Sequence, residues 1–310
     1  MSPHRDQAAA RADGLDVLVT VRDVLRHAVG RFNAAKLSFG HGSVDAWNEA
    51  VYLVLFHLHL PLDRLEPFLD ARLTADERRS LLALIDRRVV ERVPAAYLTG
   101  EAWLGEYRFT IDPRVIVPRS FIAELLFEHL APWIEDPDAV RSVLDLGTGS
   151  GCLAIIAADA FDGARVDAVD LSRDALDVAR INVDAYALAE RVHLVESDLF
   201  AALPARRYDL ILSNPPYVND ASMADLPAEY GREPRMALAG GSDGLDLVRR
   251  ILDEAPARLN RNGLLVIEVG HERLHVEAAF PDLPCTWLTT SGGDDAVFAV
   301  QAADLPRHAR

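Results

Sequence analysis

At 310 residues, half of them apolar, the chain is long enough for one full-sized core and a smaller second unit. No apolar run approaches the roughly 20 residues of a membrane-spanning helix, and the opening MSPHRDQAAARADG lacks the apolar centre of a signal peptide, so no membrane association and a cytoplasmic location are expected. The formal charge of −16 serves solubility, but it also repels phosphate backbones and favours a basic protein partner over direct nucleic-acid binding.

From about residue 15 to 100 the apolar spacing is helical, as in LDVLVTVRDVLRHAVGRF and AWNEAVYLVLFHLHL. The stretch LTADERRSLLALIDRRVVERV opens on Thr74 with Glu77 three residues later, the spacing of a capping box. His57 and His59 lie in an apolar run ended by Pro61, where packing or capping suits them better than metal ligation. Residues 1–100 are therefore expected to form a helical domain. Residues 101–119, with Gly105 and Asp112-Pro113, are expected to form a linking β-hairpin. Trp47 and Trp103 are expected to be packing anchors.

From residue 120 to 310 apolar strands alternate with helical stretches. The strands are SVLDLG, RVDAVDLS, VHLVES, YDLILSN and GLLVIEVG, with the shorter CTWLTT and AVFAVQ near the end. The fold class is thus α/β, with a seven-stranded, mostly parallel sheet covered on both faces. Ligands of such sheets bind outside the carboxyl ends of the strands, at the switch in strand order. Cys152 and Cys285, each in an apolar run, are simplest as small core residues; neither a disulfide framework nor a metal site is expected.

The first of these strands ends in DLGTGSG, residues 145–151, and runs into a helix. Gly147, Gly149 and Gly151, with Thr148 and Ser150 between them, let a ligand approach the backbone where helix N–H groups stand unpaired. A dinucleotide site shares that outline, but Asp145 before the glycines would repel a pyrophosphate and suits a cationic amino group. Asp170 ends the second strand, where a carboxylate can accept two ribose hydroxyls. Asp198, with Leu199 beside it, closes the third and suits an adenine amino group. Each acid alone could instead cap a helix. Together they match a ligand with an ammonium, a ribose and a purine, which is S-adenosylmethionine, leaving S-adenosylhomocysteine as product.

The fourth strand ends in SNPPYV, residues 213–218. Two prolines leave a stiff corner that cannot continue the sheet and that holds Asn214 and Tyr217 in fixed relation. Here the chain resembles the class I, Rossmann-like methyltransferases that act on amino groups, in which an [Asp/Asn]-Pro-Pro-[Tyr/Phe] motif receives the nitrogen to be methylated. The Asn-Pro-Pro-Tyr form is shared by adenine-N(6) DNA methyltransferases and protein N(5)-glutamine methyltransferases, so the motif implies the reaction and not the acceptor. By this resemblance Asn214, Pro215, Pro216 and Tyr217 contact the acceptor, with Asn214 also bordering the cofactor. The Asn214 side-chain oxygen and the Pro215 carbonyl can each accept one N–H, turning the nitrogen lone pair towards the methyl group. Tyr217 can pack on the flat face of the acceptor. Alignment for in-line displacement supplies much of the rest, and no metal is called for.

The flanks narrow the acceptor. RVPAAYLTGEAWLGEYRFTIDPRVIVPRS, residues 92–120, is similar to the hairpin linker of the glutamine methyltransferases, and EYGREPRMALAGGSDGLDLVRRIL, residues 229–252, to their Glu-Pro, Ala-Leu, Gly-Gly and Asp-Gly-Leu segment. One branch of that family modifies the Gly-Gly-Gln loop of peptide-chain release factors; the other modifies a large-subunit ribosomal protein, L-three. PRSFIAE after the hairpin, the long helical opening and DLPAEYGREP resemble the ribosomal-protein branch, which implies a basic ribosomal protein as partner and the helical domain as its selector. Release factors and adenine bases of nucleic acid are the alternative acceptors, and a further reading is that the chain is a ribosome-assembly factor that binds the cofactor without turnover. Arg119 and Glu124 are expected to pair and fasten the hairpin, and GGSDG, residues 240–244, to be a loop before a helix.

Overall fold

The computed structural model describes residues 16–305, so the opening segment inspected for a targeting signal lies outside the described residues. The chain divides into two compact units, Met1–Thr99 and Gly100–Arg310. No helix among the described residues is long and apolar enough to cross a membrane.

The first unit is helical. Helices α1 (Val21–Ala34), α2 (Ala46–His57), α3 (Ala75–Val90) and α4 (Ala95–Thr99) surround one apolar cluster that includes Leu25, Phe32, Leu53, Leu81 and Ile85. Each long helix starts where its sequence provides a cap. The Thr74 hydroxyl accepts from the Glu77 amide at 3.3 Å while the Glu77 carboxylate accepts from the Thr74 amide at 2.8 Å, the expected reciprocal box. Thr20 and Asp23 repeat it on α1, and Asp45 caps α2. His57 lies 2.7 Å from the Ser80 hydroxyl through Nε2, a packed role as expected. Trp47 corrects the expectation of a buried anchor: it is 47% exposed. The buried residues of α2 are Ala46, Glu49, Ala50, Leu53, Val54 and Leu55, and position 47 is not among them.

The second unit opens with a hairpin of β1 (Glu101–Leu104) and β2 (Tyr107–Thr110), paired from Glu101↔Thr110 to Leu104↔Tyr107. Trp103, 47% exposed, is likewise no anchor, because strand alternation turns Ala102 inward and its neighbour outward. After α5 (Ile122–Phe127) come β3 (Ser142–Leu146), α6 (Cys152–Ala160), β4 (Arg165–Asp170), α7 (Arg173–Ala185), β5 (Val192–Glu196) and β6 (Tyr208–Ser213). Then follow α8 (Asp220–Asp225), α9 (Asp246–Arg258), β7 (Leu259–Glu268), α10 (Arg273–Ala279), β8 (Thr286–Thr290) and β9 (Gly293–Gln301). The seven strands β3 to β9 stand in the order β5-β4-β3-β6-β7-β9-β8. The first five are parallel, and β9 pairs antiparallel with both β7 and β8. The order reverses between β3 and β6, so their carboxyl ends open side by side. Buried strand residues such as Val143, Leu144, Val166, Leu210, Ile211 and Val266 explain why these segments read as continuous apolar runs.

One charged pair lies inside the helical unit. Arg88 of α3 donates through Nε to Glu49 of α2 at 2.6 Å and through Nη2 to the Ser38 carbonyl at 2.7 Å, and both charged side chains are 1% exposed. Removing one partner strands the other charge away from water. Glu49→Leu alone is expected to cost about 3–5 kcal/mol of stability in urea unfolding followed by the helical signal, while Glu49→Leu with Arg88→Met recovers most of it. Equal losses in the single and double variants would show that the charge itself is not what the fold must satisfy.

Candidate active site

The loop after β3 is shaped by its neighbour strand. The amides of Gly147 and Thr148 both donate to the Val169 carbonyl at 2.8 Å, which curls residues 147–151 across the end of β4. Gly147 and Gly149 take positive φ, +75° and +55°, and a Cβ added at either would stand in space that no protein atom occupies. At Gly151 an added Cβ would meet the Ala179 methyl at 3.2 Å, so this glycine serves the packing of α6 on α7. The three glycines thus have two purposes: two leave a ligand room and one admits a helix.

The three strand-end acids are in different states. Asp170 accepts from the Gly149 amide through Oδ2 and from the Ser172 amide through Oδ1, each at 2.8 Å, and burial raises its pKa despite those amides. It is not the cap of α7; Ser172 is, accepting from the Ala175 amide. Asp145 is buried behind the loop, where its Oδ2 accepts from the Thr148 hydroxyl at 2.6 Å. Its Oδ1 is buried with no partner at hydrogen-bonding geometry, and burial pushes its pKa up to about 7. Asp198 is half exposed and pairs with Arg250 of α9 at 2.9 Å, a partner the sequence did not suggest.

The Asn-Pro-Pro-Tyr corner begins at the same height. Ser213 stands opposite Leu146 in the β3–β6 ladder, and its hydroxyl donates to the Leu146 carbonyl at 2.9 Å. The chain leaves the corner along residues 238–240: the Val218 amide donates to the Leu238 carbonyl at 2.9 Å and the Gly240 amide to the Val218 carbonyl at 2.8 Å. GGSDG is therefore more than a loop before α9, since it holds the exit of the corner. Tyr217 seats its ring where Gly270 lacks a side chain; a Cβ there would lie 3.0 Å from the ring's Cζ. Burial, reinforced by Glu268, raises the Tyr217 pKa and keeps the phenol protonated.

Two clefts meet at this corner. The first, about 800 Å³ and partly open to solvent, is lined by Gly147, Gly149, Asp170, Asp198 and Leu199 from the strand ends and by Pro234, Met236 and Ala237 opposite. Leu171 and Met236, 58% and 53% exposed, leave apolar surface at its rim that a flat ligand would cover. The second, about 860 Å³, is lined by Arg119, Pro215, Tyr217, Tyr230, His271 and Glu272 among others. Asn214, Ile116 and Ala237 line both. Among the described residues the Asn214 carboxamide has no hydrogen-bond partner. Of the sequence-predicted residues, Gly147, Gly149, Asp170, Asp198, Leu199, Asn214 and Pro216 line the first cleft, and Asn214, Pro215 and Tyr217 the second. Asp145, Thr148, Ser150 and Gly151 line neither and build the loop from behind; the Ser150 carbonyl accepts from Asn182 of α7 at 2.8 Å.

The expected Arg119–Glu124 pair does not form. Arg119 instead grips Glu233, Nη1 to Oε1 at 2.6 Å and Nη2 to Oε2 at 2.7 Å, and lies over the Tyr230 ring 5.3 Å from its centroid. Glu124, on α5, instead accepts from the Ser291 amide and hydroxyl at the β8–β9 turn. A separation of 114 residues hid the real partner, although PRS and EYGREP both stood out as sequence segments. Glu268 at the end of β7 was also not singled out. Buried at 1% exposure, it accepts from the Ser120 hydroxyl at 2.6 Å and the Phe121 amide at 2.8 Å, and burial pushes its pKa up to about 7.

Comparison with known proteins agrees with this geometry. The family model described as the methyltransferase small domain matches residues 122–229, which include the glycine loop and the proline corner. A ribosomal protein uL3 glutamine methyltransferase of Burkholderia pseudomallei (strain K96243) is 63% identical over 294 residues, covering 93% of this chain and 96% of that protein. Those of Bordetella pertussis (strain Tohama I) and Neisseria gonorrhoeae (strain ATCC 700825) are 61% and 56% identical, each over 93% of this chain, and 97% and 96% of their own lengths are covered. Identity of this order over nearly the whole chain, helical unit included, exceeds what a shared sheet would give, and the chain belongs to the family of ribosomal protein uL3 glutamine methyltransferases.

Proposed function

We propose that this protein transfers a methyl group from S-adenosylmethionine to the side-chain amide nitrogen of a glutamine in ribosomal protein uL3. One observation carries the reading: Asn214, its carboxamide unengaged, stands on the wall between a cleft rimmed by strand-end acids and a cleft floored by Pro215 and Tyr217. The near full-length identity to uL3 glutamine methyltransferases supports the acceptor, and the charge of −16 suits a lysine- and arginine-rich ribosomal protein. A substrate of that kind also places the enzyme in the cytoplasm.

The first cleft fits the cofactor. Its Gly147–Gly149 cradle has space for a ligand against the backbone, and Asp170 retains lone pairs for ribose hydroxyls beyond the two amides it accepts. When bound, S-adenosylmethionine supplies a methyl group on a positively charged sulfur, an electrophile that needs no further activation. The protein's task is then the nucleophile. An amide nitrogen has a delocalised lone pair, and accepting its two N–H groups on the Asn214 oxygen and the Pro215 carbonyl turns that lone pair out of conjugation and stabilises the positive charge it acquires; as the N–C bond forms, the sulfur keeps the electron pair of the broken S–C bond, and one N–H proton is then lost to solvent. Tyr217, protonated and braced at Gly270, holds the flat acceptor rather than removing a proton. The helical unit is proposed to select the substrate.

The reading is tested with methyl-labelled S-adenosylmethionine, purified uL3 and a purified release factor, with labelled peptides identified by mass. Label on a uL3 glutamine alone is the expected result; label on the release factor alone would keep the chemistry and overturn the acceptor, and label on neither protein would overturn both. Asn214→Ala is expected to lower turnover by about 10²–10³ while the calorimetric affinity for S-adenosylhomocysteine stays within about threefold. Unchanged turnover would remove Asn214 from the chemistry.

A further inference from the structure

Apart from Asn214 of the proline corner, the wall shared by the two clefts is made of two segments that belong to no strand of the large sheet. Residues 114–119 contribute Arg114 and Val115 to the first cleft, Arg119 to the second, and Ile116 to both. Residues 230–238 contribute Pro234 and Met236 to the first, Tyr230 and Leu238 to the second, and Ala237 to both. The two segments are joined at Glu233. Its side chain, fully buried, receives both terminal guanidinium nitrogens of Arg119 and, at 2.9 Å, the Val117 amide, so three donors from one segment converge on one carboxylate of the other. Arg119 also lies over the ring of Tyr230 and donates to the Val117 carbonyl at 3.1 Å.

Each segment is separately moored, the first to the sheet and the second to the proline corner. Beyond Arg119, Ser120 and Phe121 are held by Glu268 of β7; beyond Ala237, residues 238–240 pair with Val218. The stretch between the moorings, which touches both ligands' clefts, is the stretch that Glu233 ties together. A bidentate arginine–carboxylate fork fixes direction as well as distance, which a single contact would not.

We propose that the Arg119–Glu233 pair is a positioning element that pre-forms the wall common to the cofactor and acceptor clefts, so that each ligand meets a site already ordered. The inference rests on the assignment of the two clefts made above. Its thermodynamic consequence is particular. With the wall ordered beforehand, neither ligand has to order it, and the coupling that passes through it is small. With the fork broken, whichever ligand binds first bears the ordering cost and spares the second, so affinity falls for each alone and cooperativity between them appears.

The test uses Glu233→Gln, which keeps a hydrogen-bonding carboxamide but loses the charge, in the full chain. Binding of S-adenosylhomocysteine is measured by calorimetry with and without saturating uL3, and KM for each substrate and kcat are measured with labelled methyl transfer. The expected result is a loss of about tenfold in affinity for S-adenosylhomocysteine alone, a similar rise in both KM values, and kcat at double saturation within about threefold of the unsubstituted protein. Saturating uL3 should tighten S-adenosylhomocysteine at least about fivefold more in the variant than in the unsubstituted protein. A fall in kcat with both KM values unchanged, a rise in one KM alone, or a weakened affinity that uL3 does not restore would each overturn the proposal. Glu233→Asp, which keeps the charge and shortens the reach of the fork, should show the same pattern at smaller amplitude, and decides the matter if the first variant does not fold. Absence of methyl transfer to uL3 by the unsubstituted protein would instead overturn the acceptor assignment, and the proposal with it.

Discussion

The parallel pairing of β3 with β6 is the constraint from which the site follows. The chain runs outward from β3 through β4 to β5, then crosses back to lay β6 against the free side of β3. Two loops 67 residues apart are thereby opened at one height, with Ser213 opposite Leu146 and bonded to its carbonyl. A slip of one residue in that ladder would turn Asn214 to the other face of the sheet and separate the glycine loop from the proline corner. The stiffness of Pro215 and Pro216 matters only because this register has already aimed them.

On this scaffold, polar groups are divided between holding the site and serving it. Asp170 is half engaged by the backbone and half available at the cleft; Asn214 is wholly available. Glu233 and Glu268 are withdrawn from the clefts and spend their lone pairs on residues 117–121. Burial holds the acids with neutral donors alone, Asp145 and Glu268, near pKa 7, whereas a guanidinium neutralises Glu233 directly. An acidic chain can thus bury several carboxylates in one region without collapse of the site, because each is given a donor set of its own.

The strands, their order of alternation, the glycine loop and the proline corner were legible because each is a local pattern: an apolar run of strand length, a turn residue at a required φ, two imino acids that end a ladder. The Thr74–Glu77 box was legible for the same reason, its partners being three residues apart. Arg119 was noticed but given the wrong partner, since proximity in sequence pointed to Glu124 and the fold brought Glu233. Asp198 was noticed without Arg250, and Glu268 was not noticed at all, because a single acid at the end of an apolar strand carries no mark of what will pack over it. Trp47 and Trp103 read as anchors from their size, but their faces were set by helical phase and strand alternation, which leave both half exposed.

By itself the sequence determined the element types, the α/β class, the glycine loop and the proline corner and, through segments that resemble one family, the kind of substrate. These depend on short-range physics: backbone preference, periodicity and the functional groups that a few adjacent residues bring together. Tertiary structure alone decided which acids reach the cleft and which support it from behind, which carboxylate Arg119 holds, and that one wall serves two clefts. Those are properties of distance between residues far apart in the chain, and no local propensity encodes a distance until the sheet order and register have closed it.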